Sequence, residues 1–177
     1  LRYADLVDSR VFSGDEGAQK LDELVKKIKK SGKGKKYDCI MGVSGGVDST
    51  YVAYLARKLD LRPLAVHFDN GWNSEIAVQN INNIIDYLGA DLYTLVVDWE
   101  EFRDLQLAYL KAGVIDIELL TDHAILGTLY KIAAKHSIKY VISGSNVETE
   151  ELLPEAWIFR KPDSINIKDI HDKFGTV

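Results

Sequence analysis

The strongest chemical signal in the sequence is a short loop of small and polar residues, Ser44–Ser49 (SGGVDS). It follows a nearly continuous apolar run, Tyr37–Val43, and precedes apolar residues at helical spacing. Two adjacent glycines let the backbone approach a ligand closely and adopt positive φ. The free N–H groups of the loop and of the first helical turn then converge, and the helix dipole adds partial positive charge. The loop therefore predicts a site for phosphate groups.

The same loop lacks the features of two common nucleotide-binding motifs. It has no Gly-x-x-x-x-Gly-Lys sequence, and no lysine that could reach terminal phosphates. It also lacks Gly-x-Gly-x-x-Gly. A P-loop NTPase and a dinucleotide-dependent dehydrogenase are therefore not favoured. The alternative interpretation is a plain strand-to-helix turn in which Asp48 caps the helix.

Polar residues also cluster where three other predicted strands end. These segments are His67–Trp72, Asp98-Trp99 and Ser143–Asn146. In a doubly wound sheet the carboxyl ends of the strands share one edge, and ligands bind there where the strand order reverses. The opposite strand ends carry ordinary turn residues such as Asp60 and Asp91. This asymmetry indicates a functional site at the carboxyl edge.

The hydrophobic pattern alternates strands with helices four times. The predicted strands are Tyr37–Val43, Leu64–Phe68, Leu92–Val97 and Tyr140–Ser143. Helices are expected after caps at Asp15, Ser74 and Ser164, through Phe102–Leu110, and from Thr121. The alternation is typical of an α/β fold, a three-layer α/β/α doubly wound parallel sheet with right-handed crossovers.

The composition excludes several classes of function. The 177-residue chain has a net charge of −5, although residues 20–36 hold eight lysines. Because the rest of the chain is acidic, we expect no nucleic-acid partner and interpret the lysines as a solvated helix face and linker. No apolar run approaches the roughly 18–20 residues of a membrane span, so we expect a cytoplasmic protein with no membrane partner. The single cysteine, Cys39, lies in an apolar run and is expected to be buried.

The Ser44–Ser49 loop resembles the signature of the PP-loop ATP pyrophosphatases, a superfamily that includes NAD synthetase, GMP synthetase and several tRNA-modifying enzymes. The resemblance implies an adenine nucleotide alpha-hydrolase-like (Rossmann-like) sheet with strand order 3-2-1-4-5. It also implies that ATP is cleaved between its α- and β-phosphates and that AMP passes to an oxygen of the substrate. The implied cofactors are ATP and Mg²⁺, and the loop would hold the leaving pyrophosphate.

A closer resemblance extends over nearly the whole chain. The segments Lys35–Asp48, His67–Ser74, Asp98–Phe102, Thr121–Ala124 and Ile170–Gly175 are similar to the N-acetyl sugar amidotransferases of bacterial surface-polysaccharide (lipopolysaccharide O-antigen) biosynthesis. That family is associated with conversion of an acetamido group of a nucleotide-linked sugar into an acetamidino group. The resemblance implies an AMP- and pyrophosphate-forming amidotransferase. A glutaminase subunit would supply its ammonia, and assembly into a homo-oligomer is one of the possibilities.

The resemblance also assigns roles to single residues. Those expected to bind ATP are Ser44, Gly45, Gly46, Val47, Asp48, Ser49, His67, Phe68, Asp69, Ser143, Gly144, Ser145 and Asn146. Those expected to contact the substrate are Asn70, Trp72, Asp122 and His123. Catalysis is assigned to Ser44, Asp48 and Ser49, and Mg²⁺ to Asp48 with Glu148 or Glu150.

Several of these residues could instead have purely structural roles. His67 is equally well explained as a strand-end histidine whose hydrogen bonds are satisfied within the protein, and Phe68 as part of the core. Asp122 and His123 could be a cap and a surface residue. For the tryptophans, packing is commoner than stacking on a ligand.

Three alternatives to the sugar amidotransferase remain open. They are a tRNA-thiolating enzyme, an NAD or GMP synthetase-like ligase, and an ATP-binding module without turnover. We expect a helical arm and lysine-rich linker over residues 1–36, the ATP pyrophosphatase domain over 37–150 and an extension over 151–177. Members of the amidotransferase family carry a cysteine-rich segment upstream and a longer C-terminal region, so we expect this chain to be a fragment of a longer protein.

Overall fold

A parallel β-sheet forms the centre of the protein. The computed structural model describes residues 2–145 and 163–177. The strands are β1 (Cys39–Gly42), β2 (Pro63–Asp69), β3 (Leu92–Val96) and β4 (Val141–Ile142). They are all parallel and lie in the order β3-β2-β1-β4, so the chain reverses its direction of winding between β1 and β4. The four described strands thus confirm the expected order 3-2-1-4, and the described residues contain no fifth strand.

Helices surround this sheet. They are α1 (Arg2–Arg10), α2 (Gly14–Ser31), α3 (Val47–Lys58), α4 (Glu75–Leu88), α5 (Trp99–Ala112), α6 (Leu119–Lys135) and α7 (Ser164–Phe174). Within the described ranges, no helix has the length and apolarity needed to cross a bilayer.

The core lies on both faces of the sheet, as the apolar β1 sequence requires. On one face, Met41 and Ala65 pack with Ala53 of α3 and with Ile81 and Ile84 of α4. On the other face, the core contains strand residues that alternate with these, together with apolar residues of α6. That cluster consists of Ile40, Leu64, Val66, Leu129, Ile132, Ala133 and Ile138. The predicted three-layer α/β/α architecture is therefore confirmed.

An ion pair between the buried carboxylate of Asp38 and the half-exposed side chain of Arg62 fixes the segment that leads into β1. Asp38 is 3% exposed, and Arg62 donates to both of its carboxylate oxygens, over 2.6 and 3.1 Å. The same guanidinium donates to the carbonyl groups of Gly32 and Lys35 in the lysine-rich linker. Cys39 follows directly and is completely buried, as expected. The end of α2 is thereby joined to the amino edge of the sheet, opposite the predicted site.

Three expected helix starts are wrong by one or two residues. The helix assigned to a cap at Asp15 begins at Gly14, so Asp15 lies in its first turn. The helix assigned to Thr121 begins at Leu119, and Asp163 caps α7 in place of Ser164 by accepting from two backbone N–H groups. In contrast, Ser74 caps α4 as predicted, because its hydroxyl accepts from the Ala77 N–H.

A buried carboxylate joins the C-terminal segment to α5. Asp104 is 5% exposed and accepts hydrogen bonds from the hydroxyl and N–H of Thr176, over 2.6 and 2.8 Å. The Val177 N–H and His171 Nε2 each lie 3.1 Å from the same carboxylate. These bonds, above all those from Thr176, hold the pKa of Asp104 well below its usual range. The ionised carboxylate therefore fastens α7 and the last residues to α5.

We predict that Asp104→Asn lowers the melting temperature at pH 7 more than Asp169→Asn does. Asp169 is an exposed carboxylate of α7 whose ion pair among the described residues is with Lys173, and exposed pairs contribute little. Because folding lowers the pKa of Asp104, its contribution is complete above the unfolded value of roughly 3.9 and is lost as the pH falls below it. In thermal melts from pH 7 to pH 3, the difference in melting temperature between the two variants should become smaller. Equal melting temperatures of the two variants at pH 7 would contradict the role of the Asp104 carboxylate in fastening α7 to α5.

Candidate active site

The loop between β1 and α3 is shaped by its own hydroxyl groups. Ser49 Oγ and Thr50 Oγ1 both donate to the carbonyl oxygen of Gly46, over 3.1 and 2.7 Å. The hydroxyl oxygens of Ser44 and Ser49 lie 3.3 Å apart, and the Gly46 N–H points at Ser44 Oγ over 3.4 Å. The two serines predicted to contact phosphate therefore also hold the loop in shape.

Gly45 brings this loop against α4. Its φ is +77°, and a Cβ atom at this position would lie 2.4 Å from the carbonyl oxygen of Ala77. Asn80 Nδ2 donates to the Gly45 carbonyl over 3.0 Å. Both the backbone conformation and the close approach require glycine, so α4 fixes the position of the loop.

The start of α3 is open to a ligand. Gly46 is the N-cap residue and supplies no side-chain cap, so the N–H groups of Val47, Asp48 and Ser49 have no intrahelical acceptor. Val47 is 79% exposed and Asp48 is exposed. Unpaired donors and the positive end of the helix dipole therefore face solvent together, which is the arrangement that binds phosphate.

Asp48 lies in the first turn of α3 and its side chain makes no cap, so the capping role is not observed. Its carboxylate makes no ion pair within the described ranges. A negative side chain beside a phosphate site is unfavourable unless a cation lies between the two groups. A hard oxygen ligand in this position fits Mg²⁺, which binds proteins through one or two carboxylates and takes its other ligands from phosphates and water.

The loop after β4 contacts the beginning of α3. A Cβ atom on Gly144 would lie 3.1 Å from the carbonyl carbon of Asp48 and 3.2 Å from the Ser49 nitrogen. Ser143 Oγ and Ser145 Oγ lie 2.6 Å apart at the surface. Gly144 thus allows the two serine hydroxyls to stand beside the predicted phosphate loop. Asn146, Glu148 and Glu150 lie outside the described residues.

His67 links the ends of β1 and β2. Its Nδ1 lies 3.0 Å from the Val43 carbonyl oxygen, and its Nε2 lies 3.3 Å from Asn73 Nδ2. This network assigns the proton to Nδ1. Both ring nitrogens are thus used within the protein, and contact of His67 with ATP stays a prediction. The geometry is that of the structural alternative, a satisfied strand-end histidine.

Phe68 and Asp69, the other predicted nucleotide contacts of β2, are partly exposed. Phe68 meets Phe102 edge to face with centroids 6.3 Å apart. Asp69 Oδ1 accepts from the Gly71 N–H over 3.0 Å and from Asn73 Nδ2 over 2.8 Å. Asp69 therefore shapes the turn after β2, and contact of either residue with ATP stays a prediction.

A side-chain contact joins this turn to the start of α6. Asn70 Nδ2 lies 3.4 Å from Thr121 Oγ1. Asp122 and His123 follow in the first turn and a half of α6, and both are partly exposed. His123 Nδ1 is buried and has no hydrogen-bond partner within residues 2–145 and 163–177. The structure therefore brings the predicted substrate segments together at the carboxyl edge.

Several residues of this arrangement were missed in the sequence. Thr50 directly follows the loop, so its position gave a usable signal. Asn80 lies in α4 and Gln106 in α5, where Gln106 Oε1 accepts from Trp72 Nε1 over 3.1 Å. Nothing in their local sequence indicates these contacts, because both partners come from other elements.

A cleft of about 520 Å³ opens between α3 and α4, beside the loop. Its lining includes Gly45, Val47 and Asn80, but no predicted ATP or substrate residue from β2, β4 or α6. The predicted residues instead converge on the carboxyl edge of the sheet. The candidate site is therefore that edge.

Cys39 cannot serve as a nucleophile at neutral pH. Burial, with a smaller effect of the Asp38 carboxylate, raises the pKa of its thiol to about 12. No group of three or more His, Cys, Asp or Glu residues in the described parts of the chain is arranged to hold a metal ion. A cation at Asp48 would accordingly depend on ligands from phosphate, water or residues outside the described ranges.

The fold and the loop define an adenine nucleotide alpha-hydrolase-like domain of the PP-loop superfamily. The sequence profile of the NAD synthase family matches residues 18–151, a range that contains all four strands and the loop. The chain therefore belongs to the NAD synthase family.

Two comparisons show how much of its relatives this chain spans. It is 30% identical over 127 residues to an uncharacterized protein of Methanocaldococcus jannaschii. The matched residues make up 71% of this chain and 44% of that protein. The structure of NMN synthetase from Francisella tularensis superposes with a TM-score of 0.52 at 22% identity, over 71% of this chain and 52% of that one. The chain thus spans about half the length of these relatives.

Two further structures share the fold. NH3-dependent NAD synthetase from Campylobacter jejuni, in complex with nitrate, gives a TM-score of 0.55 at 18% identity and covers 88% of this chain and 72% of that one. Glutamine-dependent NAD+ synthetase from Acinetobacter baumannii, in complex with ADP, gives a TM-score of 0.60 at 17% identity. That match covers 93% of this chain and 34% of the synthetase chain. The similarity to the solved structures concerns the fold.

We predict that Gly45→Ala destabilises the protein more than Gly34→Ala. The two glycines have nearly the same φ, +77° and +78°, but a Cβ on Gly34 meets no atom within 4 Å. Both variants carry the left-handed backbone penalty of about 1–2 kcal/mol. Only Gly45→Ala also forces α4 away from the loop, which should add at least ~1 kcal/mol. Urea unfolding measures the difference, and equal losses would contradict the close approach.

Proposed function

We propose that the chain is the ATP-using part of an amidotransferase that acts on a nucleotide-linked N-acetyl sugar. It adenylates the acetamido oxygen, releases pyrophosphate and uses ammonia to form an acetamidino sugar. The observation that supports this proposal most is the uncapped start of α3, where a loop without lysine presents unpaired N–H groups at the carboxyl edge. Family membership supports the use of ATP and of a nitrogen donor.

The chemistry requires activation because an amide oxygen is a poor leaving group. The acetamido oxygen attacks the α-phosphorus of ATP, and the bond from that phosphorus to the bridging oxygen of the β-phosphate breaks. Loss of the amide proton gives an O-adenylyl imidate and pyrophosphate. Ammonia then adds to the imidate carbon, AMP leaves with the electrons of the C–O bond, and loss of a proton gives the amidine.

The residues of the loop act on the leaving pyrophosphate. The N–H groups of Val47, Asp48 and Ser49 donate to its oxygens, and the helix dipole favours its charge. The hydroxyls of Ser44 and Ser49 are close enough to each other to add two donors on the same side. Asp48, together with phosphate oxygens, would hold Mg²⁺, and the ion would supply further neutralisation of the leaving charge. A second carboxylate ligand, Glu148 or Glu150, belongs to this proposal as well.

The acceptor would lie between the turn after β2 and the start of α6. The Asn70–Thr121 contact joins the segment that carries Asn70 and Trp72 to the segment that carries Asp122 and His123. Ammonia would come from a separate glutaminase, because the thiol of Cys39 is buried. The same buried thiol argues against a tRNA-thiolating enzyme, which would need reactive cysteines.

Family membership favours a second candidate function. The solved relatives are named as synthetases of NMN and NAD, and two of the names include ammonia or glutamine dependence. A ligase of that kind would use the same loop and the same adenylation step. The acceptor would be a carboxylate of a pyridine nucleotide, and the product a carboxamide.

The two candidates differ in the acceptor that triggers pyrophosphate release. We expect release of pyrophosphate and AMP from ATP, Mg²⁺ and ammonium to require a UDP-linked N-acetyl sugar. Release that depends on nicotinic acid mononucleotide or its adenine dinucleotide would support the second candidate. Release that depends on tRNA would contradict both, as would ATP binding without turnover by any acceptor. The assay should use the full-length protein, because this chain spans only part of its relatives.

We predict that Asp48→Asn reduces pyrophosphate release at least about 100-fold, the scale of losing one group that stabilises transition-state charge. The fold should persist, because the Asp48 side chain is exposed and makes no cap. Asp86→Asn in α4 removes the same charge from another exposed position and serves as the control. Unchanged turnover of Asp48→Asn, measured beside an unchanged circular dichroism spectrum, would contradict the role of this carboxylate.

A further inference from the structure

Two tryptophans form an exposed aromatic pair, here called the Trp72–Trp99 platform, at the carboxyl edge. Trp72 lies in the turn after β2 and is 67% exposed. Trp99 is the first residue of α5, after β3, and is 42% exposed. The rings meet edge to face, with centroids 5.7 Å apart and an interplanar angle of 69°. This leaves a large part of the Trp72 indole uncovered.

The platform is held in place although it is exposed. Trp72 Nε1 donates to Gln106 Oε1 over 3.1 Å, and the Trp72 N–H donates to Asn70 Oδ1 over 3.1 Å. Gly71 has φ +82°, and a Cβ there would lie 3.2 Å from the Trp99 ring. The turn therefore needs glycine to bring the rings together. An exposed indole that is held by Gln106 and Trp99, on a turn fixed by Asn70, is preorganised for stacking rather than free to fold onto the surface.

The acidic residues near the platform indicate that its ligand is an uncharged ring. Asp98, Glu100 and Glu101 adjoin Trp99 at the start of α5, and Asp98 accepts the N–H groups of both glutamates. Acidic residues that adjoin Trp99 in sequence disfavour a phosphate group at the platform. The amide nitrogen of Gln106, whose oxygen already holds Trp72, is a donor suited to a hydroxyl or acetamido oxygen.

The position of the platform distinguishes the sugar from its nucleotide carrier. His67 of β2 reaches the end of β1 over 3.0 Å, so the turn after β2 starts beside the strand that leads into the phosphate loop. Strands in a sheet are spaced by about 5 Å, so the turn that carries Trp72 begins about one strand spacing from the end of β1. The group that receives AMP must lie near the loop. The sugar that bears this group therefore lies closer to the platform than the base of the nucleotide carrier, because a diphosphate separates that base from the sugar.

We propose that the Trp72–Trp99 platform binds the pyranose ring of the acceptor, with the apolar C–H face of the sugar stacked on the Trp72 indole. The assignment rests on the proposed function, because it takes the acceptor to be an N-acetyl sugar. It makes Trp72 a residue that selects the acceptor and leaves ATP binding to the loop.

The test measures binding and turnover separately on the full-length protein. Tryptophan fluorescence is titrated with UDP-N-acetylglucosamine and with UDP, and KM values are measured for the sugar nucleotide and for ATP. Trp72→Ala should raise the KM and Kd for the sugar nucleotide about tenfold or more and leave the KM for ATP unchanged. Trp72→Phe keeps a planar ring and should raise the KM and Kd for the sugar nucleotide less than Trp72→Ala does. Tyr130→Ala, at an exposed aromatic position of α6, is the control and should change neither value.

Failure of the platform and failure of the proposed function give different results. Equal quenching by UDP alone, or a raised KM for ATP in Trp72→Ala, would overturn the platform and leave the function intact. Sugar-dependent pyrophosphate release with an unchanged KM in Trp72→Ala would do the same. Absence of any sugar-dependent release in the unmodified protein would overturn the proposed function, and the platform with it.

Discussion

The candidate site is built around the unpaired N–H groups at the start of α3. An α-helix leaves its first donors without intrahelical acceptors, and a polar side chain at the cap position often accepts from one of them. Here Gly46 stands at the cap position and the Asp48 side chain makes no such bond. The donors therefore stay available to a ligand. The hydroxyls of Ser49 and Thr50 bind the Gly46 carbonyl instead and hold the loop that carries these donors.

Three contacts assemble the rest of the site around that helix start. His67 ties the end of β2 to the carbonyl of Val43, Gly144 lets the loop after β4 touch Asp48, and Asn70 reaches Thr121 of α6. Each contact joins a different element to the carboxyl edge. Because β4 lies on the far side of β1 from β2, the loops on both sides of the phosphate site meet at the point where the winding reverses. The topology thus brings residues far apart in sequence to one ligand-sized region.

The sequence predicts those features whose cause is local. Apolar runs, Gly-rich turns and the Ser74 cap depend on neighbouring residues, so the four strands and their order follow from pattern and resemblance together. Asp163 and Ser164 are equally good caps by sequence, whereas α6 begins at Leu119 without a side-chain cap and so offers no local signal. Asn80 and Gln106 went unnoticed because their partners lie in other elements. For His67, the sequence left two roles open, and the position of the Val43 carbonyl favours the structural one.

We expect the loop between β1 and α3 to bind the two terminal phosphates of ATP while AMP is transferred. A crystal structure of the full-length protein with Mg²⁺ and the ATP analogue that has a methylene bridge between the α- and β-phosphates tests this expectation. The β- and γ-phosphates should lie against the N–H groups of Val47–Ser49, with the α-phosphate turned toward the turn after β2. A triphosphate bound elsewhere, or one whose α-phosphate occupies the loop, would contradict it.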